Sequence, residues 1–76
     1  MSQERSHNRS IHLPYLRELR RRKGLSQKEL GEVARVSPGT VYRLENGLRG
    51  AYPGTVRKLA TVLGVAPEEL LYGKST

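Results

Sequence analysis

The chain has 76 residues, with 14 Lys and Arg against 7 acidic side chains, all Glu, and a formal net charge of +7. That length allows one domain, which buries only about 60% of its unfolded surface. With no Cys, a disulfide scaffold and every zinc site that needs cysteine are excluded, two His are too few for a His-based structural site, and no cofactor or metal is called for.

Residues 1–10 are polar and aperiodic, and the domain division is a flexible polar arm over 1–12, a globular region over 13–73 and a tail over 74–76. Pro14 suits the first turn of a helix, Leu16 and Leu19 share one face, and a cationic run closes on Gly24. This predicts helix 1 over about 14–23. Ser26-Gln27-Lys28-Glu29 is a capping box, in which the Ser hydroxyl accepts from the Glu29 N–H and the carboxylate returns to Ser26. Leu30, Val33 and Ala34 give the buried stripe of helix 2, about 26–34. Ser37-Pro38 repeats the start signal, Val41 and Leu44 face inward, and Asn46-Gly47 ends helix 3, about 38–46. A loop follows to Tyr52. Val56, Leu59, Ala60 and Leu63 give helix 4 over about 54–63, and Pro67 opens a short helix 5, about 67–72. No segment alternates like a strand, so the fold class is all-α with five helices.

Charge is uneven along this order. Residues 1–58 carry 13 basic and 5 acidic side chains, a net of +8, and residues 59–76 set Lys74 against Glu68 and Glu69, a net of −1. A one-sided charge fits either an anionic partner, nucleic acid foremost, or a solvated basic face. Helices 2 and 3 with a three-residue turn form a helix-turn-helix. Helix 3 is roughly 13 Å long at about 1.5 Å per residue, enough to lie across a major groove. Its outward face carries Gly39, Thr40, Tyr42, Arg43 and Asn46. Its one acid, Glu45, lies nearer the inward side.

The segments Leu25-Ser-Gln-Lys-Glu-Leu30, Val36-Ser-Pro-Gly-Thr-Val41, Leu44-Glu-Asn-Gly47 and Leu59-Ala-Thr-Val-Leu-Gly-Val65 occur in order. In them the chain resembles the lambda and 434 type repressor and Cro domains, the XRE family of helix-turn-helix regulators. The resemblance covers about residues 14–73. It implies a compact five-helix, repressor-like domain that binds double-stranded DNA, usually as a homodimer, and regulates transcription.

The resemblance also implies roles for single residues. Gln27, with the cap Ser26 beside it, falls where relatives meet a phosphate, and a helix N-terminus offers free N–H groups to an anion. Base-reading positions fall on Ser37, Gly39, Thr40 and Arg43, with Tyr42 on the border. Pro38 and Gly39 have no side-chain donor, so readout rests on few residues. Arg43 fits either bidentate pairing with guanine or a phosphate. Thr40 suits a thymine methyl or a base edge. Tyr42 either bonds a phosphate or packs on the helix, and Gly39 permits close approach and shape readout. Asn46 and the loop residue Arg49 fall at backbone-contact positions. Arg20 is implied to pair with Glu45, which as a half-buried charge needs a cation. Arg21, Arg22 and Lys23 are either solvated or bound to the ligand. Arg5 and Arg9 either enter a minor groove or have no role. The first turn residue is Gly in many relatives and Arg35 here, at a cost of about 1 kcal/mol in a left-handed conformation. Gly31 is where a small residue lets helices 2 and 3 approach.

The leading expectation is a transcriptional regulator, acting most simply as a repressor. Its dimer would read a near-palindromic operator with half-sites roughly 34 Å apart, its subunits joined through Val65, Leu70, Leu71 and Tyr72. The alternative is an antitoxin or coactivator-type module of the same fold with a protein partner. An enzyme is not expected, because no acid–base pair is placed in a pocket. RNA binding has no aromatic cluster to support it. No apolar run approaches the roughly 18 residues of a membrane span, and the first ten residues lack a secretory signal, so the expected location is the cytoplasm. Whether the chain is one domain of a longer protein is left open.

Overall fold

The computed structural model describes residues 10–73, which form α1 (Leu16–Arg22), α2 (Gln27–Ala34), α3 (Pro38–Glu45), α4 (Pro53–Leu63) and α5 (Pro67–Tyr72). The expected five helices are present, and no regular strand occurs among the described residues. Local chemistry accounts for most boundaries. Ser26 Oγ accepts from the Glu29 N–H at 2.9 Å while Glu29 Oε1 accepts from the Ser26 N–H at 2.8 Å, so the capping box at α2 is complete. Ser37 caps α3 in the same manner, accepting from the Thr40 N–H at 3.1 Å ahead of Pro38. Gly64 ends α4 in the left-handed conformation.

Helix 1 is shorter than expected. Pro14 lies in a turn ahead of α1, and the Tyr15 N–H donates to the Leu70 carbonyl at 3.2 Å. The entry to α1 is thus fixed by α5 rather than by a cap of its own.

The core joins all five helices. Leu13, Leu16, Leu30, Val41, Leu44, Leu59 and Leu70 are essentially inaccessible. Truncating one such Leu to Ala costs about 2–5 kcal/mol. α2 packs on both α3 and α4, and α5 closes against α4. The α2–α3 approach depends on Gly31, because a Cβ there would collide with the Val36 carbonyl oxygen. The chain between α2 and α3 turns at Arg35, whose φ of 61° is the left-handed value expected at this position.

Three expectations need correction. Val33 belongs to the apolar stripe of α2 by spacing but is 60% exposed, since α3 and α4 cover Leu30, Gly31 and Ala34 and stop short of it. Leu70 was expected on a subunit-joining surface, but it is fully buried in the core, leaving Tyr72 exposed beside half-buried Val65 and Leu71. The expected arm runs to residue 12, yet Ile11 and Ala51 exchange two backbone hydrogen bonds of 2.8 Å in an antiparallel bridge. Gly50 permits that crossing, for a Cβ there would lie 2.7 Å from Ser10 Cβ. Arg5 and Arg9, and the tail from Lys74, lie outside the described residues.

Candidate nucleic-acid interface

The site is organised around a carboxylate. Glu45 ends α3 with its side chain fully sheltered, and donors from two other helices converge on it. Arg20 of α1 places Nε 2.5 Å from Oε2 and a second guanidinium nitrogen 3.0 Å from Oε1. Gln27 Nε2, from the first turn of α2, donates to Oε1 at 3.0 Å, and Arg17 Nε lies 3.3 Å from the same oxygen. Burial works to raise the Glu45 carboxyl. The hydrogen bonds from Arg20, Gln27 and Arg17 and the Arg20 charge outweigh it and hold the group below the ordinary glutamate range. Arg20 is raised in turn, chiefly by its hydrogen bond to Glu45. It is only 8% exposed and also donates to the Leu25 carbonyl at 2.8 Å. The Arg20–Glu45 pair is therefore structural, and it locks α1 to α3.

Arg17 escaped the sequence reading. The signal was present, since residues three apart share a helix face, and a carboxylate drawing Arg20 also draws Arg17. Arg17 further donates to Asn46 Oδ1 at 3.0 Å, and Asn46 Nδ2 donates to the Tyr42 carbonyl at 2.8 Å. Asn46 thus serves to hold the end of α3, with one amide N–H left over. Gln27 likewise commits one of its two amide N–H groups to Glu45.

The outer face of α3 is then simple. Ser37, Gly39, Tyr42 and Arg43 are exposed, and Thr40 is half-buried. Ser37 Oγ donates to Thr40 Oγ1 at 2.8 Å and accepts from the Thr40 N–H, so Ser37 is first a cap and the Thr40 hydroxyl is engaged with it. Arg43 has no carboxylate partner among the described residues. A Cβ on Gly39 would meet only surface side-chain atoms, the Arg43 guanidinium at 3.6 Å and Ser37 Oγ at 4.0 Å, so core packing does not require glycine there. Arg49 is exposed in the following loop, its Nε 3.4 Å from the Gly50 carbonyl. Of the basic run, Arg22 pairs with Glu18 at 2.6 Å, and Arg21 and Lys23 are exposed. Among the described residues no three His, Asp or Glu converge as a metal site would need.

A capped helix, a tight left-handed turn and a second helix with an acid-free outer face make a helix-turn-helix, and residues 15–71 match the helix-turn-helix domain family. The chain belongs to that family. The helix-turn-helix domain is 44% identical over 57 residues to the uncharacterized HTH-type transcriptional regulator RghRB of Bacillus subtilis. The match covers 74% of this chain and 41% of that relative, so the chain spans about two fifths of the relative's length. Among solved structures, the restriction-modification controller protein C.AhdI of Aeromonas hydrophila superposes with a TM-score of 0.70 at 42% identity. That superposition covers 72% of this chain and 83% of C.AhdI. The biofilm regulator SinR, solved in complex with DNA, gives 0.71 at 30% identity, covering 74% of this chain and 90% of SinR. The expected likeness to repressor-type domains is borne out. No helix among the described residues is long and apolar enough to cross a membrane.

Proposed function

We propose that this helix-turn-helix domain binds duplex DNA by sequence and regulates transcription from the cytoplasm, acting by binding rather than catalysis. One observation carries the reading. The single acid of α3 is turned inward and neutralised, so the helix presents an exposed Arg43 on a face without negative charge. α3 lies in the major groove, with Arg43 pairing to guanine and the Thr40 methyl meeting thymine. Phosphates are held by the N-terminus of α2, the second amide N–H of Gln27, and Arg49. Regulators and a DNA complex among the relatives support the same reading. Two copies bind a near-palindromic site, joined along the Leu71–Tyr72 edge of α5 and leaving Leu70 inside each copy.

Selection of bound duplexes from a random pool tests this. The expected product is a palindrome with half-sites one helical turn apart. Against that site Arg43→Ala loses about 1–3 kcal/mol of binding and its preference at one base pair. Equal binding of selected and scrambled duplexes by the wild-type protein overturns the reading.

A further inference from the structure

Where α2 ends against α4, the surface carries a feature that DNA binding does not use. Val33, 60% exposed, borders a shallow cleft of about 510 Å³. Its apolar lining comes from Val33, Ala34 and Val62, and its charged lining from Arg35, Arg57 and Lys58. No carboxylate lines it, and no residue of α3 contributes. None of the three cations is paired with an acid among the described residues. Arg35 reaches this place from a left-handed backbone position that glycine would occupy without strain.

We propose that this cleft receives an acidic amphipathic helix of a partner protein. Apolar side chains spaced three or four residues apart on such a helix would cover Val33 and Val62 along one stripe. Carboxylates flanking that stripe would meet Arg35, Arg57 and Lys58, which supplies the charge complementarity. A DNA backbone is a poorer fit, because phosphates are held by polar donors and the exposed Val33 would gain nothing from them. A small anion is poorer still, because the cleft stands open along one side and would enclose little of it. The surface is independent of the DNA reading and stands or falls separately.

The test is amide chemical-shift mapping on the full chain at physiological salt. The probes are a synthetic helical peptide with one leucine stripe between glutamates, a scramble of the same composition that breaks the stripe, and a random-sequence duplex. Saturable shifts centred on Val33, Arg35, Lys58 and Val62 are expected with the striped peptide alone. Val33→Glu and the double exchange Arg57→Glu with Lys58→Glu should each weaken peptide binding by about tenfold or more, while duplex affinity under Val33→Glu stays within about twofold. Val33 faces solvent, so its variant should melt as the wild type does. Lys58→Glu alone decides the matter if either variant unfolds. Four results would overturn the proposal: no saturable shift, equal binding of the scramble, shifts centred on α3, or an equal loss of duplex and peptide binding in Val33→Glu.

Discussion

Glu45 ties three helices together, taking donors from Arg17 and Arg20 of α1 and Gln27 of α2 while sitting at the end of α3. Removing one member of such a pair leaves the other charge buried and unmatched. Glu45→Gln should therefore lower stability by about 3 kcal/mol, read by urea unfolding at neutral pH. A loss within experimental error of zero would show that Arg20 finds solvent instead. The carboxyl is held below its ordinary value of 4.5. Its contribution is thus complete above that pH and is lost as the pH falls through the lower folded value. Wild-type melting temperature should drop more steeply than that of Glu45→Gln between about pH 5 and pH 3, and parallel profiles would contradict this. Arg35 gives a second prediction at this scale. Arg35→Gly relieves a left-handed side-chain residue and should gain about 0.5–1 kcal/mol, a rise of a few degrees in melting temperature. A lower melting temperature would mean that the Arg35 side chain contributes more than its backbone costs.

The α2–α3 pair is held at its spacing by one missing methyl group. A Cβ on Gly31 would run into the Val36 carbonyl oxygen and lie 3.3 Å from Pro38 N, and these are backbone atoms that cannot swing aside. Gly31→Ala must push α3 away from α2 despite the better helix propensity of Ala. Overpacking of this kind costs about 1–3 kcal/mol, against about 1 kcal/mol that Ala gains in a helix interior. The expected net result is destabilisation, with duplex affinity falling as α3 shifts relative to α2, and a more stable Gly31→Ala would refute the close approach. The capping box at Ser26 and the Ser37-Pro38 start are interactions within a single turn, so the sequence alone located them. The register in which the stripe of α2 meets its neighbours is not local. The same spacing that named Leu30 and Ala34 also named Val33, and only the edges of α3 and α4 decided which of the three stays wet.

At the scale of the molecule, three of the 14 cations are paired with glutamates, Arg20 and Arg17 with sheltered Glu45 and Arg22 with Glu18 on the surface. Under the proposed function, the cations left on the surface attract DNA by releasing its counterions. A dimer contacting about six phosphates, three per copy, should show log affinity falling with log salt at a slope of about −5, measured by fluorescence anisotropy on the selected duplex. A slope near zero would remove the electrostatic basis of the proposed function. The five helices, the helix-turn-helix and the outward place of Arg43 are legible in the sequence, whereas the Arg20–Glu45 pair, 25 residues apart, is legible only through the family resemblance. Caps, stripes and motif order are written in residues within a few positions of one another. Tertiary structure decided what depends on neighbours distant in sequence. It drew Arg17, Gln27 and Asn46 into the Glu45 cluster, paired Ile11 with Ala51, buried Leu70 and left Val33 beside an unclaimed basic cleft. Periodicity states which side chains share a face, whereas only packing states what, if anything, covers that face.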